Sequence, residues 1–351
     1  MPSRSKIRRS RAGGLVWLVL LIVIGGGIFF FWQHKHHPKP TLKPVAAPAK
    51  PAPKPFTITR QSAADFPRPV LNVFEAQVAL VRRGISPGPI DAAVGSQTRV
   101  ALSVFQQTHG LPVTGKLDDD TRAKLTLDTP VLVNYAVTSN DLARLQPLGK
   151  LWMEKSQQSA LDYETELELV AERSHAHQSM IKVLNPGVNW TNLAAGTVLK
   201  IPDVNYPSPN DKAALIVISL TNKFLEAFDA SSNLLVHFPC SIAAKVEKRP
   251  VGELHVVVVA PNPNYTLDPE LFPEYPEAKT LDHKLILPPG PNNPVGVAWI
   301  GLDKTGYGIH GTPIPEQVGR TESHGCFRLA NWDADYLVRL VQIGMPVTVK
   351  E

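Results

Sequence analysis

Ile309-His310-Gly311-Thr312-Pro313 and, after a gap, Ser323-His324-Gly325-Cys326-Phe327-Arg328-Leu329 carry more chemistry than any other part of the 351-residue chain. Twelve residues separate His310 from Ser323. If His324 to Cys326 is extended, positions i and i+2 face the same way, so the imidazole and the sulfur share a side. Gly325 between them leaves the backbone bare for the close approach of a substrate carbonyl. A free cysteine titrates near ~8.5, and a neighbouring imidazolium lowers that value toward the thiolate. A thiolate beside a histidine is a nucleophile for acyl transfer. Backbone N–H groups around Gly325 and Cys326 are placed to hold the developing oxyanion. His310, on a second glycine-flanked turn, orients this pair or binds substrate.

Around these motifs, residues 211–351 read as β-rich. Leu215–Leu220, Leu234–Phe238, Leu254–Val259 and Val347–Val349 are runs of β-branched and apolar residues separated by turn residues. Residues 260–296 hold nine prolines and few strand signals, which predicts a long irregular insertion able to act as a lid. Cys240 reads as an inert core thiol, and a disulfide from it to Cys326 would remove the nucleophile. His255 and His283 have no partner pattern, and with no HExxH spacing a zinc peptidase is excluded.

His310, Ser323, His324, Gly325 and Cys326 fall on the signature of one enzyme family. On it, residues 211–351 resemble the catalytic domain of the L,D-transpeptidase (YkuD-type) family. Gly290-Pro291-Asn292-Asn293-Pro294-Val295-Gly296, followed by Trp299-Ile300, is similar to a common branch of that family. The resemblance implies a mostly-β sandwich with Cys326 as nucleophile and His324 as general acid and base. It further implies that His310 orients the site or binds substrate, that Gly325 offers its backbone to the oxyanion, and that Ser323 positions. Arg328, Gly311 and Thr312 would bind substrate. Arg328 stands where the family often has asparagine, and as a fixed cation it suits a carboxylate. The implied reaction takes the acyl group of a peptidoglycan tetrapeptide stem onto Cys326, releases D-alanine, and passes the acyl group to an amine. The product is a 3→3 cross-link or an attached protein. No metal or organic cofactor is implied.

Two further segments precede this one. Residues 70–127 predict three short helices. The order Gln77…Leu80…Gly84, Ile90-Asp91, Gly95…Thr98, Ala101-Leu102…Phe105-Gln106, Gly110-Leu111…Thr114-Gly115…Thr121…Leu125 resembles the peptidoglycan-binding-like three-helix module. Ala92 departs from it where the module usually has glycine after the aspartate. Residues 131–204 read as an α+β segment: a strand at Val133 to Val137, an insertion over 139–162, two helices, then Gly196-Thr197-Val198-Leu199-Lys200-Ile201-Pro202 on a strand. This looks like a degenerate LysM module, a glycan-binding fold. His175 and His177 fall on a polar turn, where solvent exposure is expected.

The amino terminus differs in composition. The first 55 residues hold ten of the 36 Lys+Arg and none of the 31 Asp+Glu, leaving 26 bases against 31 acids in the rest. The globular part is mildly acidic, so a nucleic-acid partner is excluded. Residues 1–12 are a basic tail. Residues 13–32 are uncharged and, at ~1.5 Å rise per residue, long enough to cross a bilayer. Residues 33–69, rich in proline and lysine, form a spacer. A cleaved signal peptide is the competing reading of 13–32. The expected layout is therefore multidomain: a single-pass inner-membrane helix with its catalytic domain in the periplasm, and two wall-binding modules between. Peptidoglycan stems and glycan are the expected partners. An L,D-carboxypeptidase that hydrolyses the same thioester, and a non-catalytic wall-binding scaffold, stay open.

Overall fold

The computed structural model describes residues 65–208, 212–270, 276–279, 281–320 and 325–351. The tail, the expected anchor at 13–32, most of the spacer, and both Ser323 and His324 lie outside the described residues. Among the described residues no helix is long and apolar enough to cross a membrane.

The first segment folds as its pattern predicts. Asn72 caps α1 (Val73–Val81), α2 (Ser96–Thr108) gives way at Gly110, and Asp118 caps α3 (Asp119–Lys124) by accepting from the Thr121 N–H. A two-residue strand pair, β1 (Arg68–Pro69) with β2 (Thr126–Leu127), ties the ends together. Two buried glutamines hold the interior. Gln77 Oε1 accepts from the Asp91 and Ala92 N–H groups at 3.2 and 2.8 Å, and its Nε2 donates to Asp91, Ala93 and Thr98. Gln106 does the same for Thr114, Gly115, Lys116 and Thr121. Ala92 adopts φ 60, the left-handed region, which explains physically why glycine is favoured there.

The second segment pairs β3 (Leu132–Ala136) antiparallel with β4 (Val198–Pro202), Tyr135 opposite Leu199. Between them lie α4 (Ser139–Ala143), α5 (Trp152–Ser156), α6 (Glu166–Arg173) and α7 (Gln178–Leu184). The topology is thus the strand–helix–helix–strand order expected, with α4 and α5 in the insertion. Arg82 clamps this segment to the first. Its guanidinium donates to the carbonyls of Thr129, Pro130 and Asp203 and pairs with the Asp203 carboxylate at 3.0 Å.

In the third segment the expected sandwich is corrected. Among the described residues one eight-stranded sheet forms, in the order β13-β12-β11-β8-β14-β5-β6-β7. Its strands are β5 (Leu215–Ser219), β6 (Phe224–Phe228), β7 (Leu234–Pro239), β8 (Gly252–Pro261), β11 (Ala298–Leu302), β12 (Gly308–His310), β13 (Phe327–Arg328) and β14 (Pro346–Lys350). Register shifts at Gly301/Leu302 and Ala227/Phe228 mark bulges, which bend a sheet. Ser241, just past β7, then bridges Arg328 on β13, so the sheet's two ends meet instead of a second sheet stacking on the first. Ile216, Leu225, Val236, Phe238, Val256, Ile300 and Phe327 fill its core beneath α8 (Asn331–Leu340).

The insertion at 260–296 is a second correction. It forms its own hairpin, β9 (Tyr265–Leu267) against β10 (Leu285–Leu287), whose Leu267, Leu285 and Leu287 share a small core with Leu161 of the second segment. Short apolar strands sit between the prolines, which mark the turns and not the whole stretch. The described residues from 65 onward consequently form one compact unit.

Candidate active site

Cys326 lies in a bend immediately before β13, not in an extended run, so the same-face reasoning from strand alternation does not apply to residue 325. Its half-buried thiol donates to the Gly306 carbonyl at 3.4 Å. Burial pushes the thiol above its ordinary range, against a hydrogen bond from the Gly308 backbone and the positive charge of Arg328, which both favour thiolate. Gly306 and Gly308 flank Tyr307 just upstream of His310. A Cβ on Gly308 would stand 2.6 Å from the Trp299 ring, so glycine is required there. At Gly325 a Cβ would meet Tyr307 only at 3.7 Å, an ordinary contact.

His310 ends β12. It lies opposite Trp299 on the antiparallel side and opposite Arg328 on the parallel side, two residues beyond the nucleophile. Its ring stacks on Trp299 with centroids 5.7 Å apart. Nδ1 lies 2.6 Å from the Gly311 carbonyl, which can only accept, so Nδ1 carries the proton and Nε2 keeps the lone pair. Burial, with the nearby Arg328 charge, brings the His310 pKa down to about 4, so the ring is neutral at physiological pH.

Arg328 is half-buried. Its backbone exchanges both hydrogen bonds with Ser241 at 2.9 and 3.0 Å. With Thr312, Ser241 and Val318 it lines a small cavity beside the site. Gly311 is buried rather than open to substrate: a Cβ there would meet Asn331 Oδ1 at 2.3 Å. Its carbonyl fixes His310, which makes it a support. Thr312 is buried too, its hydroxyl accepting from the Ile314 N–H at 3.4 Å.

Asn331 was missed by sequence reasoning. It packs against Gly296 and Gly311, accepts from the Val297 N–H at 3.3 Å, and donates to both Glu172 oxygens at 3.1 Å. The Gly290–Gly296 stretch docks the second segment: Asn292 donates to Glu168 at 2.6 Å, and a Cβ on Gly290 would meet the Leu161 carbonyl oxygen at 2.2 Å. The signal was the glycine–asparagine clustering at 290–296, read for its resemblance and not for docking. His175 is a correction. It stacks on Trp332 of α8 with centroids 5.2 Å apart, and burial brings its pKa down to about 3. Its polar turn is the surface by which the second segment meets the catalytic domain.

Cys240 is buried, its thiol donating to the Ser241 carbonyl at 3.4 Å, and no disulfide joins it to Cys326. His255 pairs with Asp303 and His283 with Asp282, both at the surface.

Comparison with known proteins places these features in a family context. Residues 213–349 match the model of the YkuD L,D-transpeptidase catalytic domain, and residues 71–125 match one described as "Putative peptidoglycan binding domain". A protein of Bacillus licheniformis named "Putative L,D-transpeptidase YkuD" is 26% identical over 183 residues, 52% of this chain and 92% of that protein. One of Escherichia coli named "Probable L,D-transpeptidase YbiS" is 29% identical over 182 residues, 52% of this chain but only 58% of its own length. A crystal structure of the L,D-transpeptidase from Xylanimonas cellulosilytica aligns over 81% of this chain and 95% of its own, at 13% identity and a TM-score of 0.35. Residues 213–349 are an L,D-transpeptidase catalytic domain, carried in one compact unit with a peptidoglycan-binding domain at residues 71–125.

Proposed function

We propose that the chain remodels peptidoglycan by cysteine-dependent acyl transfer. The Cys326 sulfur attacks the carbonyl carbon of the third residue of a tetrapeptide stem. The C–N bond to the terminal D-alanine breaks, and the thiol proton leaves with its amine. A thioester remains, which an acceptor amine resolves, giving its proton back and restoring the thiol. One amide is exchanged for another, so no energy source is needed. The observation that carries this is the thiol of Cys326 held between the Gly306 carbonyl and the Gly308 N–H, immediately before the strand that pairs with His310.

The proton carrier is one of two histidines. The family signature assigns general acid–base work to His324. A second reading is favoured by the fixed tautomer of His310: neutral, with Nδ1–H spent on Gly311, it offers Nε2 as a base on the neighbouring strand. Since the described groups leave Cys326 mainly as thiol, proton removal accompanies attack. Ser323 would position the motif, and Arg328 would meet a substrate carboxylate.

Residues 131–204 are read as a LysM-like glycan-binding segment on their strand–helix–helix–strand order. Residues 13–32 are read as an inner-membrane anchor, with the catalytic part in the periplasm, on their uncharged length. The test is product analysis. Disaccharide-tetrapeptide incubated with the protein should give a dimer lacking one D-alanine, as read by mass spectrometry. A tripeptide monomer alone would mean a carboxypeptidase, and unchanged substrate a scaffold.

A further inference from the structure

Away from Cys326, a cleft of about 230 Å3 opens where the peptidoglycan-binding domain meets the catalytic sheet. Ser96, Gln97 and Val100 of α2 form one wall, and Lys223, Phe224 and His237 form the other. Neither domain builds this cleft alone.

Part of its polar surface is unspent. His237 is only 1% exposed, and its Nδ1 lies 3.0 Å from Glu226 Oε1, which fixes the Nδ1–H tautomer. The ring's other nitrogen, Nε2, has no hydrogen-bond partner among the described residues, and the ring lines the cleft. Opposite, the residue before α2 is Gly95, which supplies no side-chain cap, so the first N–H groups of the helix stay available. Helix N-termini attract anions, and Lys223 adds a full positive charge. Among the described residues no carboxylate lines the cleft. A fitting ligand has an anionic group for the helix end and the lysine, an N–H for the lone pair of His237, and a small apolar group for Val100 and Phe224. The carboxyl-terminal residue of a peptide has all three.

We propose that this interdomain cleft is a second binding site, taking the free carboxyl terminus of a wall peptide. The inference rests on peptidoglycan being the polymer this protein handles. The cleft also touches the catalytic loop: Gln97 Nε2 donates to the Val318 carbonyl at 2.5 Å, on the segment running from His310 to the Ser323 motif. A peptide held there lies against the chain that carries the active-site histidines.

The test uses the full chain carrying Cys326→Ser, titrated with N-acetyl-L-alanyl-D-alanine while the His237 ring nitrogens are followed by NMR. The expected result is a saturable shift of His237 Nε2, at least about tenfold weaker binding by the carboxamide of the same peptide, and about a tenfold loss with Lys223→Glu. Tenfold corresponds to roughly 1.4 kcal/mol. Ser96→Asp, which adds a carboxylate to the first turn without harming the helix, should weaken binding similarly. No shift, equal binding of the carboxamide, indifference to both variants, or a shift produced by chitin oligomers lacking peptide would each overturn the proposal. Acyl transfer by the unaltered chain is read separately. Transfer without the shift overturns the cleft alone, and the shift without transfer overturns only the proposed activity.

Discussion

Cys240 is sealed in the core beneath the sheet, whereas Cys326 reaches the surface between two glycine backbone groups. Cys326→Ala should therefore abolish acyl transfer without unfolding the protein. Cys240→Ala should cost about 1–2 kcal/mol of stability and leave a reactive thiol, checked by alkylation and thermal melting. Burial raises the Cys326 pKa, so the alkylation rate of the resting protein should climb with pH beyond the ordinary thiol range. A plateau already at pH 6 would mean a preformed thiolate–imidazolium pair instead. The fixed tautomer of His310 gives a further separation. If Nε2 is the base, His310→Gln should remove the acid limb of the pH–rate profile near pH 4, and His324→Gln should leave that limb in place. At Ala92, held at φ 60, substitution by glycine should stabilise the first domain by up to about 1 kcal/mol in urea unfolding. At this scale the candidate residues His310, Gly325 and Cys326 stand out in the sequence by type and spacing. What the letters could not carry was direction: which nitrogen of His310 holds its proton follows from the Gly311 carbonyl, and that the Cys326 thiol is raised follows from burial.

Strand β7 would be the sheet's bare edge were it not covered by the loop after α1. His237 N–H donates to the Gly84 carbonyl at 2.9 Å, and the Ser86 N–H to the His237 carbonyl at 2.8 Å. Gly84 at φ 79 is needed there, since a Cβ would stand 2.4 Å from the Leu235 carbonyl oxygen. At the opposite junction α6 offers Glu172 to Asn331. Burial lifts Glu172 to about 8, with Glu168 pushing the same way and the Asn331, Tyr163 and Arg144 groups opposing. Burial likewise lifts Asp333, held by Tyr206 and Ser86, to about 7. Both acids bind a proton when folded that the unfolded chain releases, so their contribution is present at low pH and lost as pH rises through about 7 and 8. The depressed values of His310 and His175 act oppositely, but their contribution is complete above the ordinary imidazole range. Stability should thus fall by at most ~1.4 kcal/mol per pH unit for each acid until its folded value is passed, so the melting temperature drops between pH 6.5 and about 8. Glu172→Gln should flatten that slope, and an unchanged slope would show that Glu172 does not titrate there. Helices α1 to α3 and strands β5, β7, β8 and β14 were visible as periodic runs. Helix α8 carries no start signal, since Ala330 before it offers no side-chain cap, although Trp332, Ala334, Leu337 and Leu340 recur at near-helical spacing. Hairpin β9–β10 was missed because prolines surround it.

The described parts of all three segments fall in one compact unit, not beads on a string. Arg82 bridges the first two, Glu172–Asn331 and Asn292–Glu168 the second and third, and the β7 edge contact the first and third. Deleting residues 68–127 should expose β7, an open edge that invites aggregation, and lower the melting temperature by on the order of 5 °C or more. A deletion variant as soluble and stable as the full chain would show that the junction carries no stability. No composition or periodicity announces such docking, since it is built from single side chains matched across distant sequence. The central claim is an acyl group carried on one sulfur. Its most direct test is intact-mass and peptide-mapping spectrometry of the protein quenched during turnover of a tetrapeptide stem. The expected result is an adduct equal to the stem less D-alanine, located on Cys326. Turnover with Cys326 unmodified, or an adduct on any other residue, would contradict it.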